Sequence, residues 1–271
     1  MSEEHSHELV RVRDVTLQYK TPAHLVTATY QVSCTVKRGD RYVILGPSGC
    51  GKSTLLKAIG GFIRPVAGSI VVNAREVHGP GPDRMMVFQE FEQLMPWKSV
   101  LHNVMFPMRV SGKFKGNEAR DRALAAIDKV SLTKFKDAHP HTLSGGMKMR
   151  VAIARAMAME PDVLLMDEPF AALDALTRRR MQEELLALWD QLRFTVLFVT
   201  HSIEEAIVVG SRILILSPHP GRVRAELEAG ALSYKDVDSV EFGALSKRIH
   251  TLLFGDEEIR VAATTPTRMT P

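Results

Sequence analysis

The chain opens with two stretches in which apolar and polar positions alternate. Residues 9–19 (LVRVRDVTLQY) change character at almost every step, the pattern of a half-buried strand suited to antiparallel pairing. A second run spans residues 30–36, after a looser stretch around Pro22. The turn Arg38-Gly39-Asp40 leads into a short apolar run at 41–45, a glycine-rich loop, and a helical pattern over 53–59. Pro65 and Gly68, then Pro80, Gly81 and Pro82, bound two further predicted strands near 69–73 and 85–89. From about residue 100 to 159 the pattern turns helical, with Leu124, Ile127 and Val130 as the expected buried face. Continuous apolar runs return at 163–166 (VLLM) and 195–199 (TVLFV), as in parallel strands covered on both sides. Between them Met181, Leu185, Leu188, Trp189 and Leu192 recur at helical spacing. Residues 213–216 and 222–227 read as strands, 240–254 as a helix, and 255–271 as a frayed tail. The expected fold class is α/β, one domain over 1–254, with a helical subdomain at about 90–160 inserted into a sheet core.

Composition narrows the function classes. Of 271 residues, 45% are hydrophobic and 24% charged, the balance of a folded domain and not of a disulfide miniprotein or a fibrous repeat. Lys plus Arg (35) nearly balances Asp plus Glu (31); so small a surplus is not a basic surface, and since nucleic-acid binding needs clustered charge it is not expected. Two cysteines, Cys34 and Cys50, fit a reducing compartment. The start MSEEHSHELV has no apolar core of a secretory leader, and no apolar run nears the roughly 18 residues that span a bilayer. A role at a membrane would require another subunit to cross it.

The chemistry concentrates in three places. Gly46-Pro47-Ser48-Gly49-Cys50-Gly51-Lys52-Ser53 fits G-x-x-x-x-G-K-[ST] between a predicted strand and a predicted helix. Its glycines let backbone N–H groups surround phosphates at a helix N-terminus. Lys52 is placed to reach the β- and γ-phosphates, the Ser53 hydroxyl to hold Mg²⁺, and Thr54 to donate to the α-phosphate. A tight glycine turn with an exposed lysine is the bland alternative, and the strand–loop–helix context disfavours it. Asp167 and Glu168 end the apolar strand at 163–166, where ligands gather in parallel sheets. Asp167 there suits Mg²⁺ and Glu168 suits a proton acceptor for attacking water. Two solvated acids are the competing reading. Leu143-Ser144-Gly145-Gly146-Met147 opens a helix with Ser144 as N-cap, a second anion-binding geometry that one nucleotide does not need. A head-to-tail dimer would resolve this, each such loop closing over the partner's triphosphate.

With the LSGG loop 23 residues before Asp167, the chain resembles the ATP-binding subunit of an ATP-binding-cassette (ABC) transporter, over about residues 9–227. The resemblance implies a P-loop NTPase fold of ABC ATPase type: a mixed sheet core, an antiparallel β subdomain and an inserted helical subdomain. It implies ATP and Mg²⁺ as cofactors. It makes Gln89 a contact to Mg²⁺ and water, Asp174, in Ala171-Ala172-Leu173-Asp174, part of a dimer-contact loop, and His201 a γ-phosphate contact. Tyr19 is the expected adenine-stacking aromatic, with His24 or Tyr30 as alternatives. The implied catalytic set is Lys52, Gln89, Glu168 and His201; Ser53, Gln89 and Asp167 are the implied metal ligands. The nucleotide would otherwise lie on Tyr19, on the loop from Gly46 to Thr54, on Asp174 of the dimer-contact loop, and on Ser144, Gly145 and Gly146 of the second copy.

The resemblance also implies partners: a cassette homodimer, integral-membrane permease subunits, and a periplasmic or extracellular solute-binding protein. The chain would then sit peripherally on the cytoplasmic face of the inner membrane. Met147 stands where glutamine is commonest in the family. Together with GPGPDRMMVFQ and LMPWKSVLHNV it resembles importers for nitrate, taurine and alkanesulfonates. An exporter or lipid-transport motor, a soluble cassette ATPase and a small-molecule kinase remain as alternatives; the short 89–144 interval and the LSGG loop disfavour the last two. The segment 90–101, with Phe91, Leu94, Met95 and Trp97, reads either as ordinary packing beneath the helical subdomain or as a groove for a short cytoplasmic helix of a membrane subunit. Arg178, Arg179 and Arg180 are expected to form a solvated face paired with Glu183 and Glu184, and Cys50 to be a reactive thiol beside a helix N-terminus.

Overall fold

The computed structural model describes residues 7–20, 24–88, 93–230 and 232–264, with side chains described as far as 255. Two sheets organise it. Strands β1 (Glu8–Lys20), β2 (Leu25–Lys37), β4 (Ala67–Val72) and β5 (Arg75–Glu76) form an antiparallel sheet in the order β2-β1-β4-β5. The other sheet adds β3 (Arg41–Leu45), β6 (Arg84–Val87), β7 (Val163–Asp167), β8 (Thr195–Thr200), β9 (Arg212–Leu216) and β10 (Val223–Glu228) in the order β10-β9-β3-β8-β7-β6. It is parallel except for the β10–β9 pair. β2 starts five residues before the predicted run, because residues 25–29 pair with the far end of β1.

Continuous apolar strands follow from this layering. On β3, Val43 and Leu45 enter one core while Tyr42 and Ile44 enter the other; β7, β8 and β9 alternate in the same way. One core lies between the six-stranded sheet and the helices α2 (Val100–Ser111), α3 (Gly116–Lys129), α4 (Gly145–Met157), α5 (Ala175–Leu192), α6 (Ile203–Val209) and α7 (Val240–Thr264). The other joins the antiparallel sheet and α1 (Lys52–Ile59) to the opposite face. With helices on one side and a second sheet on the other, no face of β3 or β8 meets water, and polar alternation has no place there.

Helices α2, α3 and α4 lie between β6 and β7 in the chain. On α3 Ile127 is buried as expected and Leu124 and Val130 pack half-buried on the same core, but the rest of the fully buried face is Ala119, Ala123 and Ala126. Small residues at i, i+4 and i+7 let α3 approach α2 and α4 closely, and Leu124 is rotated one position off that stripe. Ahead of α2, the buried Asn103 side chain accepts from Met95 N–H (2.8 Å) and donates to the Lys98 carbonyl (2.9 Å), bracing the turn that exposes Trp97. Helix α7 runs ten residues past its expected end at Phe254, into the stretch expected to be frayed.

Candidate functional site

Strand β3 delivers the chain at Leu45 into the loop 46–51, and α1 leaves from it. Gly49 and Gly51 have φ of +78° and +97°, left-handed values that favour glycine. A Cβ at Gly51 would lie 2.6 Å from the Ala28 carbonyl oxygen, so β2 itself leaves room for nothing larger. The loop is also braced from a place that motif reading did not single out. Gly221 passes so near that a Cβ there would lie 2.1 Å from the Cys50 carbonyl oxygen, and its backbone bonds to Ala28 and Tyr30.

Lys52 is buried, and its ammonium donates to the carbonyls of Gly46 (2.9 Å) and Pro47 (3.0 Å). Its Nζ lies 3.9 Å from Glu168 Oε1. The Ser53 hydroxyl donates to Asp167 Oδ1 at 2.6 Å, across the gap between α1 and the end of β7. Burial pushes the Asp167 carboxyl above its ordinary value, and the Ser53 hydrogen bond works against that rise. Glu168, the next residue, has a left-handed backbone (φ +43°), held by its N–H on Val199 O and by Ala171 N–H on its own carbonyl. Such a conformation costs about 1–3 kcal/mol and persists only where the surroundings enforce it. It turns the side chain so that Oε2 meets Nδ1 of His201 at 3.0 Å, while Oε1 faces Lys52. His201 follows the last residue of β8 and is 54% exposed.

Tyr19, Ala28, Ser48, Gly49, Gly51, Lys52, Ser53, Thr54 and Glu168 line one recess of about 210 Å³. Of the three adenine-stacking candidates, only Tyr19 lines it. Tyr30 instead carries the Arg222 guanidinium 4.2 Å over its ring, and His24 is exposed outside the recess. Gln89 lies outside the described residues. Its flanks are tied together: the Gln93 amide donates to the Phe88 carbonyl (2.7 Å), and Arg155 of α4 donates to the Gln93 carbonyl (2.6 Å).

Ser144, Gly145 and Gly146 do not line this recess. Ser144 caps α4, its oxygen accepting from Met147 N–H at 3.3 Å, and Met147 packs half-buried on the apolar core. A Cβ at Gly146 would lie 3.3 Å from Thr177 Cγ2, so α4 begins against the first turn of α5. Asp174 caps α5; the Thr177 N–H, donating at 3.0 Å, holds its carboxyl below the usual range. The two helix starts therefore lie against each other, and neither Ser144, Gly145, Gly146 nor Asp174 lines the recess at the phosphate loop.

Two expectations need correction. Cys50 is fully buried and faces the apolar core beneath the antiparallel sheet, and burial raises its thiol instead of favouring the thiolate. Arg178 does not join a solvated face. It turns back to donate to the carbonyls of Phe170 (3.2 Å) and Leu173 (2.9 Å), fastening the loop before α5. Arg179 and Arg180 do pair with Glu183 and Glu184.

The Ser53–Asp167 pair is an all-oxygen donor set at the phosphate loop, the arrangement that suits Mg²⁺ held by one carboxylate, a hydroxyl and substrate phosphates. Among the described residues no cluster of three His, Cys, Asp or Glu could hold a metal by itself, and no helix is long and apolar enough to cross a membrane.

Comparison with known proteins gives a consistent result. The family described as ABC transporter matches residues 29–171. The taurine import ATP-binding protein of Rhizobium johnstonii is 46% identical over 248 residues, covering 88% of this chain and 93% of that protein. An uncharacterised ABC transporter ATP-binding protein of Methanocaldococcus jannaschii is 42% identical over 244 residues, 90% of this chain and 91% of its own length. Among solved structures, a dimeric ATP-binding cassette in a post-hydrolysis state with ADP and Pi is 33% identical and superposes with a TM-score of 0.71, covering 83% of this chain and all of that one.

Proposed function

The chain belongs to the ABC transporter family and is an ATP-binding, ATP-hydrolysing subunit coupled to transport; from that premise we propose how its residues divide the work and what the transporter carries. Two copies close head to tail around two nucleotides. Each site takes Lys52, Asp167, Glu168 and His201 from one copy, and Ser144, Gly145, Gly146 and Asp174 from the other. That Ser144, Gly145, Gly146 and Asp174 do not line the recess of their own chain supports this, since the second anion-binding geometry then has a phosphate to meet.

In the closed site Tyr19 stacks on adenine at the mouth of the recess, and the backbone of Gly46–Thr54 wraps the phosphates. Lys52 exchanges its Gly46 and Pro47 carbonyl partners for β- and γ-phosphate oxygens. Ser53 and Asp167, with Gln89, would hold Mg²⁺, which neutralises charge developing on the phosphates. Glu168 accepts a proton from the attacking water as the new O–P bond forms. The bond from the γ-phosphorus to the bridging oxygen breaks, leaving ADP and Pi. His201, oriented by its contact with Glu168, contacts the γ-phosphate.

The observation that carries this reading is the Glu168 carboxylate bridging Lys52 and His201 from an enforced left-handed backbone. The solute we assign is taurine or a related small sulfonate, supported by relatives named for taurine import at 39–46% identity. The partners are then permease subunits docked near Trp97 and an external solute-binding protein, with the chain peripheral on the cytoplasmic membrane face and no nucleic acid involved. The test reconstitutes the chain in proteoliposomes with permease subunits encoded beside it. Taurine-loaded binding protein should stimulate Pi release and ATP-dependent taurine uptake. ATP hydrolysis without stimulation by any sulfonate overturns the solute assignment and leaves the ATPase roles standing.

A further inference from the structure

Tyr234 has no part in the site described above. It lies on a short 3-10 turn, Tyr234–Asp236, which follows β10 and is closed by a capping box between Ser233 and Asp236. Its ring sits beneath the Arg179 guanidinium at 4.8 Å, and its hydroxyl donates to Oε1 of Gln182 on α5. Gln182 is fully buried, and its amide nitrogen donates to Oε1 of Glu205 on α6. The other Glu205 oxygen accepts from the Thr200 hydroxyl at the end of β8. Thr200 Oγ1 accepts in turn from the Ser202 N–H at 3.0 Å, and Ser202 Oγ accepts from the Glu205 N–H at 3.3 Å.

Of the two neighbours of His201, Thr200 is therefore fastened to the buried Glu205 carboxylate and Ser202 to the Glu205 backbone N–H. That glutamate is oriented by an amide whose nitrogen donates to the carboxylate and whose oxygen, buried with it, needs a donor of its own. Tyr234 is that donor. Burial pushes its phenol up to about 12, so the proton stays on the hydroxyl across the working pH range. Glu205 and Thr200 also share a cavity of about 60 Å³ with Glu168, His201 and Arg178, so Glu205 and the Glu168–His201 pair border the same space.

We propose that Tyr234 is a positioning residue for His201, acting through Gln182, Glu205 and Thr200, and that the segment after β10 thereby sets the rate of ATP hydrolysis. The proposal rests on the reading of His201 as the γ-phosphate contact. A purely structural tyrosine would alter stability; a positioning one alters the His201 ring and the chemical step.

The test uses the full chain with Tyr234→Phe, which removes one hydroxyl. The expected kcat for ATP hydrolysis falls about three- to tenfold, the range a single buried hydrogen bond commands, with KM for ATP within about twofold. In nucleotide-free protein the His201 ring proton resonance, assigned by its loss in His201→Gln, shifts or broadens. Asp236→Ala opens the capping box at the surface, leaves every buried partner in place, and gives the same shift in smaller measure, which keeps the test available should Tyr234→Phe fold poorly. An unmoved His201 resonance in a folded variant overturns the proposal whatever happens to kcat, and so does an unchanged kcat. Because the resonance is read without nucleotide, it stands apart from the functional reading, which fails separately if the wild-type chain releases no Pi.

Discussion

Glu168→Gln isolates one property of the site. Glutamine has the same length, and the backbone at this position stays left-handed (φ +43°), so the strain of about 1–3 kcal/mol is carried equally by both chains. The amide oxygen can still face Lys52 at the 3.9 Å position, and the amide nitrogen can donate to His201 Nδ1 at the 3.0 Å position. What disappears is basicity. A positioned general base contributes on the order of 10²–10⁴ in rate, which at about 1.36 kcal/mol per tenfold is roughly 2.7–5.4 kcal/mol of barrier. Turnover should fall by that factor while ATP binding persists, so ATP should accumulate a closed dimer that the wild-type chain populates only briefly. Steady-state Pi release with light scattering in ATP and Mg²⁺ measures both. Glu168→Gly supplies a control: it relieves the left-handed strain and should lose turnover without losing stability. Wild-type turnover by a folded Glu168→Gln protein would refute the base assignment, and a monomer that persists in ATP would refute the shared site.

Three further outcomes are expected. Cys50, fully buried with its thiol raised by burial, should react with iodoacetamide at pH 8 far more slowly than it does in denaturant; rapid alkylation of the native chain contradicts that placement. Burial raises the Asp167 carboxyl above its reference of 3.8, so the folded chain prefers it neutral, and its ionisation subtracts from stability at every pH above the folded value. Asp167→Asn, which keeps an oxygen for the Ser53 hydroxyl, should therefore raise the ligand-free Tm at pH 7.5, lose that advantage as pH falls toward 4, and weaken Mg²⁺-dependent ATP binding; a lower Tm at neutral pH contradicts the sign. Trp97 is 73% exposed on its braced turn, so Trp97→Ala should shift stability by less than about 0.5 kcal/mol and preserve ATP hydrolysis while weakening capture of permease subunits; unchanged assembly and uptake would remove Trp97 from the docking surface.

What the sequence revealed and what it hid divide along a physical line. The phosphate loop was legible because eight consecutive residues carry its geometry, and β3, β7 and β8 were legible because burial on both faces leaves an unbroken apolar run. On α3 Ile127 is buried as its spacing predicts, but Ala119, Ala123 and Ala126 go unread because helix separation, not hydrophobicity, sends small residues inward there, leaving Leu124 and Val130 half-buried against the core. Cys50 was misread because a position in the motif says nothing of where a side chain turns, and this sulfur packs against Gly46 and the core. Arg178 was missed because its acceptors are backbone carbonyls, which no residue type announces. The same holds more strongly for the line from Tyr234 to His201. Its links join residues 52, 23 and 5 positions apart, and each is an ordinary polar residue on its own element. Only the packing of α5 and α6 beside β8 brings them into one chain of donors and acceptors. In such a buried chain an unmet partner is expensive, so a change at the exposed end has to be taken up by the remaining members. On that reasoning a tyrosine beyond the last sheet strand should influence His201 without touching it.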